Sequence, residues 1–300
     1  MLTIFTTPKP FIGNIKTTQT NAIRSWAALQ PPCEIILFGD EEGTAQLASE
    51  LKIHHVSQVE RNEFGTTLVS AMFRIAQEMA THKLMCYVNA DIILMSDFLP
   101  AVRQVAKEPF LLVGQRWDID LKEPLDFRDP AWETKLQAYS KERGRLHGIS
   151  GIDYFVFPRG LYRDIPPFAI GRPGWDNWMI YRARSLRVPV IDMTRAATMV
   201  HQNHGHADYP GGEKAFWEGP EAKRNATLMG TKDHAFGLDY ATSVLTVRGL
   251  RPALAPTHLY YRGRALPILH HRFHCLLTLF KAFEKSYFGC KKLVNIRQRH

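Results

Sequence analysis

Cysteine is scarce in this 300-residue chain: Cys33, Cys86, Cys275 and Cys290 are the only four, and no two form a CxxC pair. They sit mostly in apolar runs, which argues against a disulfide framework or a zinc ribbon and for reduced, buried thiols in a cytoplasmic protein. No run approaches the ~18–20 apolar residues that cross a bilayer. The opening MLTIFTTPKPF lacks a basic segment followed by a long apolar one, so no secretory signal is visible. The sequon Asn225-Ala226-Thr227 is accordingly expected to stay unmodified. The Walker glycine loop, a GxGxxG after the first strand, GxSxG and HExxH are also missing, which weakens kinase, dehydrogenase, serine-hydrolase and metalloprotease readings.

Acidic residues are nearly absent from one segment. Residues 251–300 hold ten Lys and Arg against one Asp or Glu, whereas residues 1–100 hold 7 against 10 and residues 101–250 hold 21 against 18. The formal net charge of +9 is therefore equivalent to the charge of the last fifty residues. Such a tail fits nucleic acid or an anionic membrane surface. The remaining composition, 45% hydrophobic and 22% charged, is that of an ordinary globular protein with a sizeable core.

The first half alternates short apolar runs with periodic ones. Strands are expected at Leu2–Phe5, Glu34–Phe38, His54–Val56 and Leu84–Val88, and helices at Thr18–Leu29, Ala45–Leu51 and Thr67–Ala80. The last helix should turn Leu68, Ala71, Met72, Ile75 and Met79 inward. Leu84–Val88 is apolar on both faces, as a central parallel strand should be. Later segments give strands at Phe110–Gly114, Ile152–Phe157 and Val188–Asp192, with Ala196–Val200 following, and helices at Trp132–Arg143 and Asp176–Leu186. Gln115–Pro130 reads as polar and proline-punctuated, Pro166–Gly174 as a loop, and 201–212 as irregular. The alternation predicts an α/β fold with a mostly parallel central sheet flanked by helices.

The sharpest local signal is the apolar strand that runs straight into Asn89-Ala90-Asp91. Ligands of open α/β sheets bind at the carboxyl ends of strands, and a carboxylate there suits a hard divalent cation that also touches a diphosphate. Capping of the following helix is the plain alternative for Asp91.

An acidic turn after the second strand, Asn62-Glu63-Phe64-Gly65 before a helix, and a hydrophobic strand ending in a DXD-like triplet together resemble the GT-A class of nucleotide-sugar glycosyltransferases over roughly residues 1–205. The resemblance implies a GT-A-like (Rossmann-like) domain over 1–250, with a nucleotide-binding half at 1–95 and an acceptor half at 96–250, followed by a helical extension at 251–300. It implies transfer of a sugar from a nucleoside-diphosphate donor to a hydroxyl of a glycan or lipid-linked acceptor, with manganese or magnesium as cofactor. Asn89 stands where the first aspartate of the triplet is often found. Donor contacts then fall on Thr6, Thr7, Lys9, Asp40, Asn62, Asn89, Ala90 and Gly151, the last in a glycine-containing loop. For Lys9 and Asp40 a turn and a solvated acidic loop are the plain alternatives.

The resemblance assigns the metal to Asp91 with His201, and His204 in reserve. An independent zinc site is disfavoured, because no cysteine or carboxylate cluster completes a closed set around His201, His204 and His206. At the start of the helix after Pro173-Gly174, Asp176 is the candidate base of an inverting reaction, or a helix cap. Asp153, Trp175 and Asn177 would face the acceptor; Asp153 suits a turn equally, and Trp175 with Trp178 suits a core.

From Leu266 to Phe288, Leu269, Phe273, Leu276, Leu277, Phe280, Phe283 and Tyr287 recur every three or four residues opposite His270, His271, His274, Lys281 and Lys285. One amphipathic helix is expected, ending near Gly289, with Lys291, Lys292, Arg297 and Arg299 beyond it. It offers peripheral membrane contact through 266–300, or packs with a solvated basic face. Nucleic acid is not expected, since no recognised binding module accompanies the charge. A non-catalytic membrane-surface protein on a degenerate transferase fold, or a nucleotidyltransferase, remains as an alternative function.

Overall fold

A computed structural model describes residues 2–105, 109–204 and 212–282. The chain forms two compact units, Met1–Pro252 and Ala253–His300.

The first unit opens with alternating elements: β1 (Leu2–Thr6), α1 (Gly13–Ala27), β2 (Glu34–Phe38), α2 (Thr44–Leu51), β3 (His54–Val56), α3 (Val69–Met79) and β4 (Leu84–Val88). It continues with β5 (Ile92–Leu94), α4 (Phe98–Arg103), β6 (Leu111–Val113), β7 (Trp117–Ile119), α5 (Trp132–Arg143), β8 (Arg145–Leu146) and β9 (Tyr154–Pro158). Then come α6 (Trp175–Ser185), β10 (Val190–Arg195), β11 (Met199–Gln202), α7 (Gly212–Glu218), α8 (Pro220–Met229), β12 (Ser243–Thr246) and β13 (Gly249–Pro252).

Among the described residues, nine strands form the main sheet in the order β13-β12-β10-β6-β9-β4-β1-β2-β3. The pairings β1–β2, β1–β4, β2–β3, β6–β10 and β10–β12 are parallel. This is the mostly parallel α/β sheet that the alternation predicts. One expectation is corrected: β4 is not parallel on both sides, because β9 runs antiparallel to it and to β6. The reversal puts the beginning of β9 level with the end of β4, Val88 facing Tyr154. A second sheet, β5-β11-β7-β8, continues from that edge.

One face of the main sheet carries an aromatic cluster. Phe73 stacks on Tyr87 and Phe157 at 5.7 Å each and meets Phe5 edge-on at 4.9 Å. Ile4, Ile35, Cys86, Val88, Tyr154 and Val156 build the other face with Ala22, Ile23 and Trp26 of α1. Burying each large side chain contributes about 1.5–3 kcal/mol. Helix α1 begins at Gly13, five residues before the expected start; residues 13–17 are exposed or half-exposed, so they carry no apolar period by which a helix is read. Met79, expected inside, is 40% exposed at the last turn of α3. The strand expected over Ala196–Val200 lies instead at Met199–Gln202.

In the second unit α9 (Pro256–Leu269) ends at His270, whose backbone is extended (φ −133°, ψ 108°). A 3-10 turn follows at His271–Phe273, and 275–282 is helical again. A single helix running on from Leu266 is therefore overturned as far as it is described. Pro267 withdraws an amide from the last turn of α9. The break lets the chain fold back, so that the Phe280 ring meets Tyr260 at 5.7 Å and lies over Gly263. Phe283 to Arg299, Gly205, His206 and Cys290 lie outside the described residues. Among the described residues no helix is long and apolar enough to cross a membrane.

Trp26 is fully buried and donates from Nε1 to the Ile92 carbonyl at 2.8 Å, tying α1 to the strand that follows Asp91. Trp26→Phe keeps an aromatic ring in the core but removes the donor to that carbonyl. It is expected to lower the unfolding free energy of the Met1–Pro252 unit by about 1–3 kcal/mol, and Trp26→Ala by about 3–5 kcal/mol, read from urea unfolding.

Candidate active site

Strand β4 delivers Asn89 and Asp91 to the carboxyl edge of the sheet, and the antiparallel β9 brings the loop before it to the same place. The Asn89 amide N–H donates to the Asp153 carbonyl at 2.8 Å. Its side chain accepts from the Tyr87 hydroxyl at 2.6 Å and donates to Asp153 Oδ1 at 2.7 Å. This accounts for asparagine at 89: a carboxylate there would face Asp153, and like charges at hydrogen-bond distance repel.

Asp91 is joined by two histidines from β11 and its exit. His204 Nε2 lies 2.8 Å and His201 Nε2 3.7 Å from Asp91 Oδ2. The register places His201 between Ile92 of β5 and Asp118 of β7. The end of β11 is anchored by Gln202, fully buried, which donates to the Thr18 carbonyl at 2.8 Å and accepts from Asn21 at 2.9 Å. Burial alone would raise the Asp91 carboxyl, but the imidazoles of His201 and His204 hold it well below the usual carboxylate range. His201 shifts the other way: burial opposes its charge, and Asp91 and Asp118 outweigh that and raise its pKa.

The residues fit a divalent cation. One oxygen and two imidazole nitrogens converge within 4.8 Å of one another. Asp91 Oδ1 is buried with no hydrogen-bond partner among the described residues, a cost that a cation would remove.

Behind this trio stand residues that the sequence reading passed over. Asp118, 8% exposed, lies 3.2 Å from His201 Nδ1 and 2.7 Å from His147 Nδ1. Arg116 Nε donates to Asp118 at 3.0 Å, and its guanidinium also binds Asp153. Burial pushes the Asp118 carboxyl up, but the nearby imidazoles of His201 and His147 and the Arg116 guanidinium leave it well below the ordinary range. The available signal was the alternation Arg116-Trp117-Asp118-Ile119-Asp120, polar on one face and apolar on the other. A strand of three residues is too short for that pattern to stand out. Gly151 completes this side: a Cβ there would come within 2.4 Å of the His147 ring.

Asp176 is the second residue of α6, which follows Gly174 at φ +100°. Burial pushes its carboxyl up to about 6, partly offset by the amides of Asn177, Asp176, Gly174 and Ile152. The Ile152 amide ties Asp176 to the loop that carries Gly151 and Asp153. Asp91 and Asp176 both act on the Tyr87 phenol, which burial and these two charges keep protonated.

The other candidates are placed differently. Trp175 is 4% exposed and packs edge-on to Tyr87 at 5.1 Å and against Phe155 at 5.6 Å, a core position. Trp178 packs on Phe168. Asn177 spends its amide on the Ser150 and Phe236 carbonyls at 2.9 and 3.0 Å. Thr6 is fully buried at the end of β1 and Ala90 is 8% exposed. Thr7 is half-buried, and Lys9 is exposed with its backbone clasped by Gln19. Asp40 pairs with Arg61 at 2.6 Å. Asn62 folds its own loop by accepting from the Phe64 and Thr66 amides, and donates to the buried Glu221, which also pairs with Arg172. Asn225 of the sequon is fully buried, and its amide binds both backbone groups of Ala169.

No protein-family model matches the chain, and no curated protein matches it in sequence. Similar solved structures exist. S. aureus TarS 1-349 in complex with UDP-GlcNAc is 14% identical, with 70% of this chain and 61% of that chain covered and a TM-score of 0.46. Another is glucosyl-3-phosphoglycerate synthase from Mycobacterium tuberculosis in complex with Mn2+, UDP and phosphoglyceric acid. It is 16% identical, with 76% of this chain and 77% of that chain covered and a TM-score of 0.44. Against a longer S. aureus TarS structure, with 16% identity and a TM-score of 0.43, the match takes in 67% of this chain and spans 36% of that one. These are distant likenesses of architecture.

The raised Asp176 pKa sets a sign for stability. Between the ordinary value of 3.8 and about 6 the folded state binds the extra proton, so this residue's contribution falls as pH rises through that window and stays low above it. Asp176→Asn is therefore expected to melt a few degrees above the wild type at pH 8. The gap should close near pH 4, as followed by scanning calorimetry.

Proposed function

We propose that the chain is a glycosyltransferase that moves a sugar from a nucleoside-diphosphate donor to an acceptor hydroxyl. The observation that carries this reading is the convergence of Asp91, His201 and His204 at the carboxyl edge of the central sheet, with the Asp91 Oδ1 buried and without a partner among the described residues. The GT-A resemblance of the strand that ends in Asn89-Ala90-Asp91 supports it.

A cation held by Asp91, His201 and His204 would neutralise charge on the departing diphosphate. The two imidazoles favour manganese over magnesium, which prefers oxygen ligands. Asn89 and Gly151 border the donor in this reading, and Asp40 with Arg61 faces its nucleoside. Asp176 takes the proton of the acceptor hydroxyl, as inversion at the anomeric carbon requires. A carboxylate pushed up to about 6 is a better base than an ordinary aspartate and is still ionised at neutral pH. Asp153 orients the acceptor loop through its Arg116 and Asn89 contacts.

The basic 251–300 segment gives the enzyme a peripheral hold on an anionic membrane, beside a lipid-linked acceptor. The supporting features are its ten cationic residues against one acidic one, and Leu254, Leu259, Leu266 and Leu279, exposed by 62, 48, 46 and 66%. A cytoplasmic-face location follows from that reading.

Manganese together with UDP or GDP is expected to raise the melting temperature of the wild type, and the metal-dependent part of the rise should vanish in Asp91→Ala. No response to either nucleotide would contradict the transferase reading. Asp176→Asn should lower kcat by about 10²–10⁴-fold, and the wild-type kcat should fall with an acidic limb near pH 6. For the tail, the full chain should sediment with vesicles containing phosphatidylserine and not with pure phosphatidylcholine. Equal recovery with both, or with neither, contradicts the membrane contact.

A further inference from the structure

Two histidines from distant parts of the chain turn the same ring nitrogen toward one carboxylate. His201 Nδ1 lies 3.2 Å from Asp118 Oδ1, and His147 Nδ1 lies 2.7 Å from Asp118 Oδ2. The pairing is dictated by strand register, since Asp118 of β7 stands opposite His201 of β11. Asp118 is itself fixed by Arg116 Nε at 3.0 Å, with Arg145 at 3.8 Å.

Both nitrogens of the His201 ring face carboxylates, Nδ1 toward Asp118 and Nε2 toward Asp91, and Nδ1 makes no in-line hydrogen bond among the described residues. A neutral imidazole has one proton, so a cation on Nε2 leaves it on Nδ1, with Asp118 Oδ1 the acceptor in reach. The orienting carboxylate lies on a different strand from any of the three candidate ligands. For His147 the opposite edge of the ring lies over Gly151, where no Cβ intrudes.

We infer that Asp118 is a positioning residue that selects the Nδ1–H tautomer of His201, leaving Nε2 to bind the cation, and that the same carboxylate holds His147 against the Gly151 loop. The inference rests on the reading of Asp91, His201 and His204 as the metal site. It adds that metal affinity depends on a residue that does not touch the metal. Carboxylates in that relation to a ligating histidine typically change metal affinity about 10–100-fold when removed.

The test uses the full chain without nucleotide or acceptor. Manganese binding is measured by the loss of the free-ion electron paramagnetic resonance signal, and the His201 tautomer by nitrogen-15 NMR of the metal-free protein at alkaline pH. Asp118→Asn should weaken manganese about 10–100-fold and move His201 from Nδ1–H toward Nε2–H. Asp118→Glu, which keeps the acceptor charge, should restore the tautomer and bring affinity back to within about fivefold. It also serves if Asp118→Asn folds poorly. His147→Gln should leave manganese affinity within about threefold of the wild type.

Unchanged affinity and an unchanged tautomer in Asp118→Asn, with binding lost in His201→Ala, would overturn the role of Asp118 and leave the metal site standing. Failure of the wild type to bind manganese would overturn the metal site instead, and the tautomer comparison would still decide whether Asp118 orients His201.

Discussion

A carboxylate withdrawn from water at the end of a central strand demands compensation, and much of the surrounding architecture answers that demand. An isolated buried charge costs several kcal/mol even after relaxation. Asp91 is therefore flanked by His201 and His204. His201, made more basic by that contact, is backed by Asp118. Asp118 in turn needs Arg116, and the other side of Arg116 needs Asp153. Charges alternate from Asp91 through His201, Asp118 and Arg116 to Asp153, and Asn89 closes the path back to the Asp91 strand without adding charge. Asp91 Oδ1 is left over, buried and with no partner among the described residues.

Two topological choices make the arrangement possible. Strand β9 enters the sheet antiparallel between β4 and β6, so the loop carrying Gly151 and Asp153 reaches the edge where β4 ends. The small sheet of β5, β11, β7 and β8 then lays His201 between Ile92 and Asp118. Both depend on the apolar packing beneath. Trp26 bonds the Ile92 carbonyl, and buried Gln202 binds α1 through Asn21 and Thr18. Asp176 is brought to the same edge by α6, whose first residue, Trp175, wedges against Tyr87 and Phe155. Trp175, a candidate to face the acceptor, serves as the anchor for the carboxylate beside it.

What was legible in the sequence was local. The strands Glu34–Phe38, His54–Val56 and Leu84–Val88 and the helix Trp132–Arg143 lie where hydrophobic runs and periodicity put them. Asp91 and Asp176 stood out because a carboxylate ending an apolar strand, or opening a helix after Pro-Gly, is visible in a few consecutive residues. What was hidden depends on pairing. The direction of β9 is set by its neighbours, and Asp118 and Arg116 occupy or adjoin a three-residue strand. His147 matters only because Asp118 lies across from it. Asn62 and Asn177 read as ligand contacts, yet their amides are spent on the protein itself, on Glu221 and on backbone carbonyls. A polar side chain near a loop gives no local sign of which partner it will take. The tail shows the same limit, because its spacing suits one helix while the backbone at His270 breaks it.

The most direct measurement is a crystal structure with manganese and either UDP or GDP, with the metal located by its anomalous scattering. One manganese peak is expected at about 2.0–2.3 Å from the Asp91 carboxylate and from Nε2 of His201 or of both histidines, with the diphosphate on its open side. A diphosphate bound elsewhere, or a metal that ignores Asp91 while nucleotide is present, would contradict it.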